Sequence, residues 1–479
     1  MSAQLIINYR SYETRVALLE DGRLAELYIE RNNFWDILGN IYKGKIVRVL
    51  PGIQAAFVDI GTQRTGFLCI QDMPKRNEED LRIEDQLYEG QEIVVQVIKS
   101  PAKGKGPRLT TNIAIAGRRL VLMPYNSNIG VSRKIKEKEE RERLKTIANE
   151  IRPDEIGVIV RTISKGATKE KLQEEMRFLY RLWKDISLKI KSFSAPSLLY
   201  REPSITLKAI RDLFTKDVDK LVIDSKREYK AIMDFINDFA PGLRYCIELY
   251  EGSKPIFEKY GIEPEIDKLF QQRVPLKSGG FIVIEQTEAL TAIDVNTGSY
   301  VGEYDVEETA LRTNLEAVKE IAYQIRLRNI SGLIVIDFID MEKKANRDKV
   351  FSALKDAFNK DKAKTNIQYI SNLGLVEMTR ERTRLDLKES LTEPCPYCSG
   401  RGLVKSKESI CSEIFRELEK KKNLLGLGNE KIHVFVHPEV NLFVREFKEE
   451  YIKKLEKDLG KKIVFIPKEE LHIENYEIV

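Results

Sequence analysis

Between Asn40 and Thr111 the chain is written for β-structure. NIYKGKIVRVL, QAAFVDIG, TGFLCI and EIVVQVI are strand-length runs rich in β-branched and aromatic residues. Pro51-Gly52, Gly61-Thr62 and Glu89-Gly90 cut them apart at positions where turns form. Short strands at this spacing, five in all, predict a small barrel. Phe57 and Phe67 fall on neighbouring strands of it. The loop SPAKGKGPRLTT, with the residue before it, gathers Lys99, Lys103, Lys105 and Arg108 among two glycines and two prolines.

The flanking sequence is mixed, and the chain as a whole reads as multidomain α/β and β. Residues 1–35 alternate apolar and polar around Asp21-Gly22, as a β-hairpin does. Residues 133–150 predict a charged helix, GVIVRT a strand, and residues from about 169 to 188 a second helix. Pro196 and Pro203 punctuate the passage into a mixed region that runs to about Phe270. Residues 279–295 predict a hairpin, 306–327 a helix, GLIVIDFID a strand, 346–359 a helix and 367–370 a further strand. A length of 479 residues fits several domains, and 42% hydrophobic content is enough to build their cores. The longest apolar stretches, such as Leu333–Ile336, fall far short of the ~18 residues of a membrane span. The opening MSAQLIINYRSYETR lacks a basic segment followed by an apolar one, so a cytoplasmic location is expected.

Residue counts narrow the chemistry. The three histidines, His433, His437 and His472, all lie near the C-terminus, which disfavours Ser-His and Cys-His schemes in the rest of the chain. Five cysteines in a long chain without an export signal do not make a disulfide framework. A net charge of +5 excludes a general polycation, so basic residues that meet nucleic acid must be arranged locally.

Four groups of residues carry possible chemistry. Asp294 ends the strand TAIDVNTG and Asp337 interrupts the apolar run LIVIDF. An ionised carboxylate in a buried strand is costly unless it is paired or binds a metal. The interval between them accommodates one helix, a topology that brings both strand ends to one sheet edge. Two convergent carboxylates without histidine suit Mg²⁺, and Asn296 lies on the same face as Asp294. Salt bridges to arginine or helix capping are the ordinary alternatives. Cys395-Pro-Tyr-Cys398, followed by Ser-Gly-Arg-Gly, is half of a tetrahedral zinc site. The other half would come from Cys411 or a late histidine, or from the same pair in a second subunit; a free thiol pair is the alternative. Phe57 and Phe67 are either base-stacking platforms, with Lys103 and Lys105 meeting phosphates, or core. Arg161-Thr162, after GVIV, is either a phosphate pocket or a solvated strand end.

Together these segments resemble the RNase E/RNase G family of endoribonucleases. NIYKGKIVRVLPGIQAAFVDIGTQRTGFL resembles its S1-type RNA-binding domain. TAIDVNTG, with EETALRTNLEAVKEIAYQIRLRNISGLIVIDFIDM, resembles its catalytic signature, and CPYCSGRG its zinc knuckle. Order and spacing match from about residue 5 to 405. The absence of a long basic tail after the short C-terminal domain leans toward the ribonuclease G branch. The resemblance implies an RNase H-like part split between 1–35 and 206–269, an S1-type OB-fold at 36–118 and a 5′-sensor region at 119–205. It further implies a DNase I-like catalytic part at 270–392, a zinc-link at 393–402 and a small oligomerisation domain at 403–479. It assigns Asp294 and Asp337 to the catalytic Mg²⁺ and Asn296 to positioning the first of them. Phe57, Phe67 and Lys105 are assigned to RNA, and Arg161 and Thr162, lined by Gly117 and Val121, to a pocket that senses a 5′-monophosphate. Cys395 and Cys398 would share one Zn²⁺ with a second subunit, in a homodimer or homotetramer.

The implied activity is hydrolysis of single-stranded, A/U-rich RNA to 5′-phosphate and 3′-hydroxyl ends, in ribosomal RNA maturation or messenger RNA decay. One position departs from the family. Members commonly carry an arginine that supports the 5′ pocket where this chain has Lys364-Thr365-Asn366, and lysine lacks the planar fork. The rival readings are an S1-type RNA-binding protein without catalysis and a zinc-linked scaffold.

Overall fold

The computed structural model describes the chain except Met1, residues 32–36, 75–81, 102–104, 215–217, Ala240, 300–304, Asn372, Thr383, Leu385 and 421–430; of 237–239, 241–243 and Lys360 it describes the backbone alone. Lys103 therefore lies outside the described residues. The chain divides into two compact units, Met1–Leu387 and Lys388–Val479.

In the first unit, strands Ala3–Tyr9, Glu13–Glu20 and Arg23–Arg31 form an antiparallel meander. Asp21 and Gly22 both have positive φ (49° and 78°), the signature of a two-residue hairpin turn whose twist matches its strands. Strands Lys220–Ile223 and Ile247–Leu249 extend this sheet in parallel from far along the chain. Both faces are buried: Leu5, Ile7, Val16 and Leu18 pack with Ile210, Leu213 and Phe214, while Ile6, Ala17 and Leu19 pack with Phe257 and Leu327.

The expected barrel forms from Ile41–Leu50, Ala55–Asp59, Gly66–Cys69, Arg108–Thr110 and Glu92–Lys99, and the first of these also pairs with the last to close it. Ile46, Ala56, Val58, Leu68, Val95 and Leu109 fill its interior. A four-stranded sheet follows, ordered Ile129–Val131, Gly157–Val160, Leu120–Met123 and Ile115–Ala116, covered by helices Lys138–Ile151 and Lys169–Ser192. The first helix starts later than its charge pattern predicts. Ser132 donates its backbone N–H to Val160, Ile135 is buried, and Arg141 Nη1 donates to the carbonyls of Ser132 and Ile135. These contacts hold 132–135 out of the helix.

The remaining sheet of this unit has the order Arg273–Pro275, Phe281–Gln286, Leu290–Asn296, Gly332–Asp337, Leu375–Arg380, Thr365–Ile367. Leu290–Asn296 and Gly332–Asp337 are parallel, and helix Val306–Arg328 connects them. Asp305 caps that helix by accepting from Glu308 N–H, and Asn329 ends it in the left-handed conformation. Its apolar face, with Ala317, Val318, Ile321 and Ile325, packs on Ile293, Val295, Ile334 and Ile336.

The second unit holds a three-stranded sheet, Lys462–Pro467, Lys431–Val436 and Tyr476–Ile478. Helices Lys407–Lys420, Pro438–Phe447 and Glu449–Leu459 pack around a core that includes Ile410, Cys411, Val434 and Val440. No described helix of the chain is long and apolar enough to cross a membrane.

Candidate active site

Asp294 and Asp337 lie opposite each other in the register of the two parallel strands. Burial alternates along Leu290–Asn296, so Ile293 and Val295 enter the core while Ala292 and Asp294 take the open face. Asp337 is the last residue of its strand and is also exposed. The expectation of a carboxylate sunk in a buried strand is thus corrected, because the period of two turns both side chains outward where the strands end. The salt-bridge alternative does not hold either: among the described residues neither carboxylate pairs with a lysine or arginine.

Crowding of like charge marks the site instead. Partial burial, then Asp294, then Asp340 push the Asp337 carboxyl above the usual range. Asn296 Nδ2 donates to Asp294 Oδ2 at 2.7 Å. The turn beyond it is tightly backed: a side chain at Gly298 (φ 58°) would lie 2.5 Å from the Gly279 carbonyl. A cavity of about 310 Å3 opens here, lined by Asp294, Asn296, Thr297, Asp337, Ile339 and Asp340. Asn314, fully buried on the connecting helix, donates from Nδ2 to the Ile339 carbonyl (2.8 Å) and accepts Ile339 N–H (3.1 Å). It clamps the loop between Asp337 and Asp340. Another cavity, of about 350 Å3, is lined by Arg23, Glu265, Lys268 and Glu320 among others. Arg23 pairs there with Glu320 and Lys268 with Glu265, while Arg273 stacks on the Phe281 ring.

Phe57 and Phe67 are direct cross-strand partners, with ring centroids 6.0 Å apart at 65°. Both are half-buried, while their neighbours Ala56, Val58, Gly66 and Leu68 point inward, so the rings stand on the outside of the barrel and not in its core. Lys105 is exposed. Arg108 is not free for phosphate, because Asp72 binds it through Nε (2.7 Å) and Nη2 (3.2 Å).

Arg161 and Thr162 follow the central strand of the four-stranded sheet. Arg161 Nη1 donates to the Gly117 carbonyl at 2.6 Å. Val121 pairs with Ile159 and Ala116 in the neighbouring strands. The Thr162 and Ser132 hydroxyls share a hydrogen bond of 2.8 Å. Lys134 Nζ donates to the carbonyls of Asp361 and Lys362, tying the segment before Thr365–Ile367 to this region. Lys364 is exposed. Thus the structure brings Gly117, Val121, Arg161 and Thr162 together and adds Ser132 to them.

In the second unit, Cys395 is exposed and Cys398 buried. Ser399, Gly400 and Gly402 have positive φ (52°, 80° and 73°), and Gly402 N–H donates to Cys398 Sγ at 3.2 Å. Backbone N–H groups of Cys398 and Tyr397, then the Cys398 thiol, lower the Cys395 thiol from its ordinary range. Cys411 belongs to the apolar core, where burial pushes its thiol up to about 11. His472 lies beside the knuckle, but its Nε2 bonds to the Tyr397 carbonyl (2.6 Å) and its Nδ1 accepts Glu474 N–H (3.2 Å). Neither residue offers a free third ligand in cis.

An outward aromatic pair stands on the closed barrel, and two carboxylates without a lysine or arginine partner among the described residues end two parallel strands. Comparison with known families gives the class of protein. The S1 RNA binding domain matches residues 36–112, the Ribonuclease E/G family 114–383, and the RNase E/G thioredoxin-like domain 394–479. The chain belongs to the ribonuclease E/G family and is an endoribonuclease. It is 41% identical to ribonuclease G of Haemophilus influenzae over 489 residues, 100% of this chain and 99% of that one. Ribonuclease G of Escherichia coli K12 is 41% identical over 428 residues, 87% of this chain and 88% of the relative. Ribonuclease E of H. influenzae is 38% identical over 486 residues, which span 100% of this chain and 52% of that relative.

Proposed function

We propose that the chain hydrolyses single-stranded, A/U-rich RNA in a Mg²⁺-dependent reaction, leaving 5′-phosphate and 3′-hydroxyl ends, and prefers substrates with a 5′-monophosphate. The observation that carries this reading is the adjacent pair Asp294 and Asp337, exposed and without a cationic partner among the described residues. The donor set fits the metal. It consists of oxygen only, and two carboxylates leave room for a hard cation that keeps several waters. Among the described residues no group of three or more His, Cys, Asp or Glu forms a protein-only metal cage. When bound to Asp294 and Asp337, Mg²⁺ supplies Lewis-acid stabilisation of charge at the scissile phosphate.

The chain's own residues do the rest. Asn296 holds the Asp294 carboxylate through its amide. Asn314 holds the loop that carries Asp340. Phe57 and Phe67 offer outward faces on which single-stranded bases stack, and Lys105 meets the backbone. Arg161 and Thr162 supply a guanidinium and a hydroxyl for a terminal phosphate.

The reading extends to assembly. Cys395 and Cys398 would hold one Zn²⁺ together with the same pair of a second copy, which accounts for a two-thiol knuckle when Cys411 fills a core and His472 is otherwise engaged. Ribosomal RNA precursors and messenger RNA are the proposed substrates.

The test is cleavage of a short A/U-rich RNA with a 5′-monophosphate or a 5′-hydroxyl, with Mg²⁺, with EDTA, and with Asp337→Asn. Mg²⁺-dependent cutting that the variant loses while still binding RNA supports the site. Undiminished cutting by Asp337→Asn, or in EDTA, would overturn it.

A further inference from the structure

Arg161 does not stand alone in its pocket. Besides the Gly117 carbonyl on Nη1, its Nη2 lies 2.7 Å from Asp212 Oδ1. Asp212 belongs to helix Ile205–Leu213, whose Ala209, Ile210 and Leu213 pack against the five-stranded sheet. The helix is therefore anchored in a different layer from the strand that leads into Arg161.

Asp212 is itself held. Arg211 reaches its carboxylate through Nε (3.3 Å) and Nη2 (3.1 Å), while Arg211 Nη1 donates to Glu202 Oε1 (2.8 Å) and the Ala116 carbonyl (3.0 Å). Two consecutive carbonyls, Ala116 and Gly117, each receive one guanidinium, and the Asp212 carboxylate bridges the two. The inner pair is closed off, with side chains only 12% and 11% exposed for Arg211 and Glu202, whereas Arg161 and Asp212 stay 30% and 33% exposed. The outer guanidinium is thus reachable, and the inner one fixes the bridge.

We infer that Asp212 is the positioning residue of the 5′-end site: it aims the Arg161 guanidinium at the terminal phosphate of the RNA. This rests on the proposed 5′-end reading of Arg161 and Thr162. A guanidinium has five N–H donors. Gly117 and Asp212 occupy one each, which leaves three for a phosphate monoester. Arginine is long and rotamer-rich, so an unbraced Arg161 would lose conformational freedom on meeting the phosphate. The braced one is already oriented.

The Asp212 charge works against an incoming anion, and with Glu202 it balances the two guanidinium groups, so what the cluster offers a phosphate is the remaining N–H donors of the partly exposed Arg161. Burial works against its ionisation; Arg211 and Arg161 overcome this and hold the carboxyl below the usual range. Asp212 therefore stays ionised and paired with Arg161 at neutral pH.

The experiment measures kcat and KM separately for one A/U-rich RNA bearing a 5′-monophosphate or a 5′-hydroxyl, using the full chain. Asp212→Ala is expected to shrink the monophosphate advantage by about tenfold, through KM, as a charge-assisted hydrogen bond is lost. Cleavage of the 5′-hydroxyl RNA stays within about twofold, which also reports a folded enzyme. Asp212→Asn keeps an oxygen for Arg161 and is expected to fall between the two. An unchanged or enlarged advantage in Asp212→Ala overturns the inference, as does an equal loss on both RNAs. Absence of any monophosphate advantage in the unsubstituted chain overturns the 5′-end reading itself, and Asp212's role with it.

Discussion

Replacing Asn314 with alanine tests how the loop between Asp337 and Asp340 is held in the proposed active site. Asn314 is fully buried and makes two hydrogen bonds to one residue, Ile339, through both ends of its amide. Ile339 lies between Asp337 and Asp340, so the amide sets the path of the backbone across the cavity floor. Asn314→Ala removes both bonds and leaves a small void between helix and loop. At about 1 kcal/mol per hydrogen bond and a cavity term of similar size, the loss is about 2–4 kcal/mol. Part of it is recovered because Ile339 is only half-buried and water can reach its freed N–H and carbonyl. The larger consequence is geometric, since a shift of about 1 Å in a group that positions the reaction can cost about a hundredfold in rate. Cleavage under saturating RNA is therefore expected to fall about a hundredfold, while RNA affinity, set by the barrel, stays the same. A kcat within about threefold of the unsubstituted enzyme would refute the clamp.

Other expectations follow from the same geometry. Phe57→Ala removes an outward ring that supports no core, so RNA affinity should weaken by about 1–3 kcal/mol in a binding titration, with the thermal midpoint nearly unmoved. Cys395→Ser should abolish zinc, expected at about one ion per two chains by metal analysis, and dissociate the dimer in sedimentation; one zinc per chain would contradict a shared site. Glu26 links pH to stability. Burial would raise its carboxyl, but Lys362 and Arg326 outweigh this and lower it from 4.5 to about 2. Its contribution, about 3 kcal/mol, is complete above the unfolded value and drains away as pH falls toward about 2. Glu26→Gln should flatten that acid limb in melts taken from pH 6 to 2, and an unchanged limb would show that other carboxyls set it.

Much of this site was legible before any coordinates. Turn formers between apolar runs marked the barrel strands, and Asp21-Gly22 marked the hairpin. The separation of Asp294 from Asp337 by a helix-length segment foretold a parallel pair, and the period of two put Asn296 on the face of Asp294. The strand pattern also put Phe57 and Phe67 on neighbouring strands, and the register then paired them. What escaped were partnerships. Arg108 stood with the loop lysines as one more basic residue, but Asp72 binds it. Cys411 read as a spare zinc ligand but fills a core. Asn314, Ser132 and Asp212 carried no local signal, because an isolated polar residue on a helix or in a loop looks like any solvated one.

The division has a physical origin. A strand or helix repeats every few residues, so the sequence by itself determined which side chains share a face, where turns interrupt, and that two carboxylates end neighbouring strands. Hydrogen bonds and ion pairs depend on distance in space, and the chain can bring any of many polar groups to a given acceptor. Only the tertiary structure decided that Asp337 faces outward beside Asp294 and Asp340, that Ile339 is held by Asn314, and that Arg161 is braced by a carboxylate from another layer.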